Sequence, residues 1–184
     1  MSTVRQYYCD VEKFFNSTLE SHDSIQINLN DSYIPKQINI DQNLYFALSK
    51  CTKLLELSIS LYHTLIGGQG LSDICFGIMN CSKLQRLSLQ LKYNQIEAYG
   101  IQNLSTTLCC FKDLEYLYLD LSDNALGDKS IPAIASKFKN CKHLKNLRLD
   151  ISNNEFDEQD AKNLAFELQN CQKLEILSVI FMQK

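Results

Sequence analysis

The sequence repeats with a period of thirty residues, and this repeat restricts the possible folds more than any other feature. The stretch LQRLSLQLKYNQI, residues 84–96, returns thirty residues later as LEYLYLDLSDNAL. Five registers of this phrase begin at Leu54, Leu84, Leu114, Leu144 and Leu174. A period of roughly 20 to 50 residues is typical of solenoids, in which stacked units share one continuous core.

Each unit changes its hydrophobic period part-way along. Around the leucines the apolar residues alternate, as in Leu87, Leu89 and Leu91, which predicts a strand with one buried face. After an asparagine column the spacing becomes three and four, as in the segment 101–108, which predicts a one-sided helix of about three turns. The chain is therefore expected to be an α/β protein in which strand and helix alternate.

The repeated phrase, CxxLxxLxLxLxxNxI followed by a helix, resembles the leucine-rich repeat of the ribonuclease-inhibitor-like class. The resemblance covers residues 21–184, with about five full repeats and a degenerate first one around Ile27 and Leu29. It implies a solenoid shaped as an arc or horseshoe, with a parallel β-sheet on the concave side and helices on the convex side. The strand should be longer than is usual in that family, because an extra x-Leu pair precedes the asparagine.

The resemblance also implies a structural role for the asparagine column. Asn94, Asn124 and Asn154 would bond the backbone of adjacent turns. Replacing one of them by Ala should leave buried backbone groups unpaired, at a cost of about 1–3 kcal/mol.

Residues 1–20 precede the repeats and contain an amphipathic stripe with helical spacing. Its members are Val4, Tyr7, Tyr8, Val11, Phe14, Phe15 and Leu19. A solenoid needs its first apolar face covered, so we expect an N-terminal capping helix over 1–20 and a repeat domain over 21–184. The alternative is an aromatic helix that docks into a partner.

Charge and hydropathy exclude two classes of partner. A net charge of -3 is unfavourable for a nucleic-acid binder, which needs a basic stripe. No apolar run approaches the roughly 20 residues that a bilayer requires, and the N-terminal MSTVRQYYCDVEKFF lacks the apolar segment of a signal peptide. We therefore expect a cytoplasmic, intracellular protein with reduced cysteines and no membrane association.

The residues that could carry chemistry favour packing over catalysis. A column three residues before the leading leucines holds Cys51, Cys81, Phe111, Cys141 and Cys171. Phenylalanine cannot ligate a metal, so a buried apolar thiol explains this column better than a metal ladder. The three histidines fall at different repeat positions, and no HExxH, GxSxG or phosphate-loop phrase occurs. We expect no enzymatic activity, no metal and no cofactor.

The outward strand positions form three predicted columns across the sheet. They are Gln26, Glu56, Arg86, Tyr116, Asn146 and Ile176; Asn28, Ser58, Ser88, Tyr118, Arg148 and Ser178; and Asn30, Ser60, Gln90, Asp120, Asp150 and Ile180. Tyr and Arg are enriched at interface hot spots, and aspartates beside them would orient a partner. The candidate partner-binding residues are Arg86, Tyr116, Tyr118, Asp120, Arg148 and Asp150. The alternative is an ordinary polar surface on which Asp120 or Asp150 neutralises Arg148.

The last strand is apolar on both faces, since Ile176, Ile180 and Met182 point outward while Phe181 points inward. No helix or polar cap follows before Lys184, and an open apolar edge favours pairing with another chain. We expect an edge contact through Ile176, Ile180, Phe181 and Met182, in a homodimer or a larger assembly. The alternative is a terminal strand that folds back loosely.

Together these features predict a non-catalytic protein–protein interaction module, or scaffold, that binds a protein or peptide on its concave sheet. The alternative function is a structural subunit, or a homodimer, held through the uncapped last strand. A nuclease inhibitor or GTPase activator is less favoured, because so short an arc could not wrap a globular target.

Overall fold

The computed structural model describes residues 5–30, 40–127 and 130–182. Within these ranges one parallel sheet contains seven strands in chain order. The strands are Gln6–Tyr8 (β1), Ser24–Asn28 (β2), Glu56–Ser60 (β3), Arg86–Gln90 (β4), Tyr116–Asp120 (β5), Asn146–Asp150 (β6) and Ile176–Ile180 (β7). The helices are Val11–Phe15 (α1), Ile40–Lys50 (α2), Gly67–Ile78 (α3), Glu97–Leu108 (α4), Ser130–Phe138 (α5) and Glu158–Leu168 (α6), and a 3-10 turn spans Leu19–Ser21.

The alternation of strand and helix confirms the α/β class predicted from the two hydrophobic periods. From β3 to β7 each strand residue pairs with the residue thirty positions further on, as Leu57 does with Leu87 and Leu147 with Leu177. The inward leucines of β3 to β6 are at most 2% exposed, and each helix packs on the next. The core is therefore one continuous stack of equivalent apolar layers.

The asparagine column forms the predicted hydrogen-bond ladder. The Asn94 side chain accepts from the Thr64 N–H at 3.0 Å and donates to the Leu61 carbonyl at 2.6 Å. The Asn124 side-chain oxygen accepts from the Asn94 N–H at 2.9 Å, and Asn154 accepts from Asn124 at 2.8 Å. All three asparagines are at most 1% exposed, so the expected role in joining adjacent turns is confirmed.

The loops between strand and helix contain non-glycine residues with positive φ at positions thirty apart. One column is His63, Tyr93, Asp123 and Asn153, and another is Leu65, Gln95, Ala125 and Glu155. Alternation between left- and right-handed backbone turns nearby N–H groups toward one point. The Asn94 side-chain oxygen occupies that point, where it also accepts from the Ile66 N–H at 3.4 Å. The unusual backbone and the buried asparagine thus belong to one structural element.

The N-terminal segment does not form the single helix expected over 1–20. Its described residues form the short strand β1, the five-residue helix α1 and the 3-10 turn, while Val4 lies outside them. Asp10 ends the extended part because its side chain accepts from the Glu12 N–H at 2.9 Å and caps α1. β1 pairs with β2 through Tyr7 and Gln26, so the sheet begins one strand earlier than the repeats predict.

The register between β2 and β3 differs from the predicted columns. Ser24 pairs with Glu56 and Gln26 with Ser58, an offset of 32 residues where thirty was expected. Gln26 is therefore not the neighbour of Glu56. Asn30 follows the same offset, since its side-chain oxygen accepts from the Tyr62 N–H at 2.8 Å. The backbone hydrogen bonds between β2 and β3 fix this offset of 32 residues. The degenerate first unit lacks the leucine pattern, so the sequence did not reveal the offset.

The cysteine column lies in the core, as predicted for a packing role. Cys51, Cys81 and Cys141 are at most 4% exposed, Cys171 is half-buried, and all are free thiols. Burial raises the pKa of Cys51 and of Cys141 to about 12 and that of Cys81 to about 11. The Cys81 thiol donates to the Cys51 carbonyl at 3.3 Å, so the column also links adjacent turns.

None of the helices in the described ranges is long and apolar enough to cross a membrane.

Candidate interaction surface on the open face of the sheet

The six residues predicted to bind a partner lie together on the sheet face opposite the helices, which we call the open face. Register places Arg86 beside Tyr116, Tyr118 beside Arg148, and Asp120 beside Asp150. Neighbouring strands are about 4.8 Å apart, so the six side chains form one continuous group across β4, β5 and β6. We call Arg86, Tyr116, Tyr118, Asp120, Arg148 and Asp150 the open-face cluster.

Arg86 and Tyr116 form a cation–π pair at the amino-terminal end of the cluster. The guanidinium carbon of Arg86 lies 4.4 Å from the centroid of the Tyr116 ring. Such a pair contributes about 0.5–1 kcal/mol at an exposed site. The Arg86 side chain is 49% exposed, and its Nε lies 3.8 Å from Glu56 Oε1. Stacking therefore orients the guanidinium while leaving most of its donors open to a partner.

Glu56 also takes part in this surface, although it is not among the predicted site residues. Its Oε2 accepts from Arg5 Nη2 at 2.7 Å and from Ser24 Oγ at 3.3 Å. Arg5, Glu56, Arg86 and Tyr116 line a depression of about 210 Å³ on the open face. The repeat period placed Glu56 in the same column as Arg86, but the approach of Arg5 depends on β1, which the repeat does not predict.

Tyr118 and the two aspartates form the carboxyl-terminal end of the cluster. Burial raises the pKa of the Tyr118 phenol, and the charges of Asp120 and Asp150 raise it further. The phenol is thus a neutral donor at physiological pH. Asp120 Oδ1 accepts from Ser122 Oγ at 2.7 Å, and Asp150 Oδ1 accepts from the Ser152 N–H at 3.0 Å. The loop after each strand therefore orients its carboxylate.

Arg148 provides a test of the alternative in which the surface charges neutralise one another. Its side chain is exposed and makes no ion pair within 4 Å in the part of the chain that the structure describes. Asp120 and Asp150 instead bond their own loops. Neutralisation of Arg148 by either aspartate, which was the alternative to an interaction surface, is therefore not observed among the described residues.

A second group of aromatic residues lies where strands β3 and β4 end, and sequence reasoning missed it. The Tyr62 and Tyr93 ring centroids are 5.9 Å apart, and those of His63 and Tyr93 are 6.3 Å apart. Lys92 Nζ lies 5.2 Å from the Tyr93 ring and 3.5 Å from Asp123 Oδ2. The signal was available, because the thirty-residue period places His63 and Tyr93 in one column.

The predicted contact residues of the last strand are largely exposed. Ile176 is 51% exposed, Ile180 is 41% and Met182 is 66%. Phe181 differs because it packs inward, with its ring stacked on Phe156 at 5.9 Å. It lines an apolar cavity of about 480 Å³ together with residues of β7 and α6. The edge therefore exposes both outward isoleucines and part of the core layer.

In the described ranges no three His, Cys, Asp or Glu side chains are grouped closely enough to hold a metal ion.

No protein-family model matches this chain, and no curated protein is similar to it in sequence.

Proposed function

We propose that the chain is a leucine-rich-repeat protein of the ribonuclease-inhibitor-like class that binds a protein or peptide on the concave side of its sheet, without catalysis. The observation that carries this proposal is the register of β4 to β6, which brings two Tyr, two Arg and two Asp onto one face. The asparagine ladder and the constant offset of thirty residues from β3 onward support the family.

The open-face cluster has the chemistry of an interaction hot spot. Tyr and Arg combine a large contact area with a polar tip, and they lose little conformational entropy when they are already oriented. The cluster lies on the inner strands β4, β5 and β6, and each of these strands is hydrogen-bonded on both sides. The binding surface is therefore preorganised by rigid backbone.

The charges of the cluster suggest the kind of segment that it recognises. Asp120 and Asp150 lie side by side and suit a Lys or Arg side chain, while Arg148 suits a carboxylate. From β4 to β6 is about 10 Å, which matches about three residues of extended peptide crossing the strands. We therefore propose a short extended segment with a basic residue above the aspartates and an acidic residue near Arg148.

Binding is favoured over catalysis by the residue types on this face. The outward residues of β4 to β6 include neither histidine nor cysteine, as the strand sequences RLSLQ, YLYLD and NLRLD show. Asp120 and Asp150 each accept a hydrogen bond from the loop that follows their strand, which holds both carboxylates in place to orient a cationic side chain.

The test is a quantitative affinity pull-down from native extract with three proteins: wild type, Tyr118→Ala/Arg148→Ala, and the control Tyr99→Ala/Lys83→Ala. The control removes an exposed tyrosine and an exposed cation from outside the open face. Circular dichroism and the unfolding midpoint first establish that all three are folded.

We expect one partner to be enriched at least about tenfold by wild type and by the control, and to be lost by the open-face variant. Equal recovery of every enriched protein by all three baits would overturn the proposal. A synthetic peptide from the captured partner, titrated against Asp120→Asn/Asp150→Asn, then tests the proposed basic residue, whose substitution should weaken binding to wild type but not to this variant.

A further inference from the structure

Among the described residues, the edge strand β7 presents backbone groups that pair with no other strand, as well as apolar side chains. The Ile176 N–H donates to the Lys145 carbonyl, and the Ile180 carbonyl accepts from the Ile151 N–H, so even-numbered residues of β7 face β6. Because peptide groups alternate along a strand, those of Leu177, Val179 and Phe181 face away from the sheet. Equivalent N–H groups in earlier turns, such as that of Ile151, donate to the next strand.

The side chains of β7 match a second copy of the same strand. The sequence Ile176–Ile180 reads ILSVI and is nearly palindromic about Ser178. In an antiparallel pair with Ser178 on a two-fold axis, Ile176 would lie opposite Ile180 of the second copy, and Leu177 opposite Val179. Serine would lie opposite serine, where two hydroxyls can bond each other. Every apolar residue of the strand thus meets an apolar residue.

The outward isoleucines favour a second copy over a further repeat of the same kind. In β3 to β6 the two outward columns that contain Ile176 and Ile180 hold Glu, Arg, Tyr and Asn, and Ser, Gln, Asp and Asp. A further turn of this pattern would cover Leu177 and Val179 but would place polar side chains beside both isoleucines. An antiparallel second copy instead places isoleucine against isoleucine on the open face.

The cavity beside β7 can also be buried without enclosing a charged side chain. Its lining residues are Ala161, Leu164, Ala165, Leu168, Gln169, Leu177, Val179 and Phe181. None of these is ionisable, so association would not desolvate an unpaired charge.

We propose that the chain forms a two-fold homodimer in which β7 pairs antiparallel with β7 of a second copy, with Ser178 on the axis. This contact is isologous, because the same surface serves both copies. It joins two seven-stranded sheets into one. The nearest members of the open-face cluster, Arg148 and Asp150, lie on β6, so β7 still separates them from the second copy and the cluster stays accessible. The dimer is independent of the function proposed for that cluster.

Disulfide trapping tests whether Ser178 lies on the two-fold axis. Ser178 faces β6 with its backbone, so the two serines would form a non-hydrogen-bonded antiparallel pair, with Cα atoms about 4.5 Å apart and side chains within disulfide reach. Under mild oxidation Ser178→Cys should give a covalent dimer on non-reducing electrophoresis. The control Ser88→Cys places a thiol in the same column on β4. Neither this variant nor wild type with its native cysteines should give a covalent dimer on the same gel.

Sedimentation velocity tests the contact without a crosslink. Wild type should sediment at twice the monomer mass of 21.2 kDa at micromolar concentration. Ile180→Lys should raise the half-dimer concentration at least about tenfold, because each of the two Ile176–Ile180 pairs across the axis would receive a lysine. Gln90→Lys adds the same charge in the same column on β4 and should leave association unchanged.

A wild-type protein that stays at 21.2 kDa up to about 100 micromolar would overturn the proposal. So would a dimer that Ile180→Lys leaves intact, or one that Ser178→Cys fails to lock. Circular dichroism of each variant establishes that it is folded, so that loss of the dimer reports on the contact.

Discussion

The two ends of the sheet are built in different ways. At the amino-terminal end β1 adds a strand, and α1 covers the core with Phe14, which is fully buried. The Tyr8 ring packs 5.1 Å from Phe14, and its hydroxyl pairs with His22 Nε2 at 3.0 Å. At the carboxyl-terminal end Leu177 is 50% exposed, although its column neighbour Leu147 is fully buried. One end of the described structure is covered and the other is open.

This difference shows that burial in a repeat is supplied by the neighbouring turn rather than by the residue itself. Leu147 and Leu177 occupy the same position of the same phrase, as do Cys141 and Cys171. In each pair the residue with a turn on both sides is buried, and the residue of the last turn is partly exposed. Equivalent substitutions at the two ends should therefore have unequal costs.

The largest effect is expected at the covered end. Phe14→Ala should lower the unfolding free energy by about 3–5 kcal/mol, because it opens a cavity in a fully buried position. Phe181→Ala removes the same ring from a half-buried position and should cost less than half as much. Urea unfolding, at a concentration where the protein is monomeric, measures both. Equal losses of unfolding free energy in the two variants would contradict the difference in burial between the two ends.

A sharper comparison uses two leucines of one column. Leu147→Ala should cost about 2–5 kcal/mol, whereas Leu177→Ala should cost only about 1 kcal/mol in the monomer, because half of its side chain is already in water. The cost of Leu177→Ala should grow with protein concentration if β7 is covered by a second copy. A large and concentration-independent loss at Leu177 would contradict the open edge.

The smallest effect concerns the thiols. A buried thiol whose pKa is raised stays protonated in the folded state, while in the unfolded chain it ionises near its ordinary pKa of 9.0. Its contribution to stability is thus complete below pH 9 and is lost as the pH rises toward the folded pKa of about 12. Each such thiol should lower the unfolding free energy by about 1 kcal/mol between pH 8 and pH 10.

Two variants isolate this contribution from other titrating groups. Cys141→Ala should reduce the loss of stability between pH 8 and pH 10 by about 1 kcal/mol relative to wild type, and Cys171→Ala by less. Denaturant unfolding at the two pH values provides the comparison. An unchanged pH dependence in Cys141→Ala would mean that its thiol is not protected by the core.

Much of this fold could be predicted because each turn repeats one set of local rules. The thirty-residue period predicted the strands β3 to β7, their register and the neighbours within the open-face cluster. The same period failed at the degenerate first unit, where β2 pairs with β3 at an offset of 32 residues. It also missed β1, because three residues without a repeat partner carry no periodic signal.

The contacts made by individual side chains were less predictable than the columns. Arg86 stacks on Tyr116 and Glu56 bonds Arg5, whereas among the described residues Arg148 does not form the ion pair with Asp120 or Asp150 that was considered as the alternative. These choices depend on rotamers and on loop hydrogen bonds such as that of Asp120 with Ser122. Neither of these is encoded in the spacing of residue types.

The sequence by itself determined the α/β alternation and the thirty-residue register, because these follow from hydrophobic periodicity. The resemblance to leucine-rich repeats implied the asparagine ladder, which pairs buried backbone groups of adjacent turns. Only the tertiary structure decided which arginine lacks an ion pair among the described residues, how the amino-terminal end is covered, and how far the last strand is exposed. The physical reason is that the burial and the ion pairing of a side chain depend on the turn packed beside it. The residues of a single turn specify only which side chains face that neighbour.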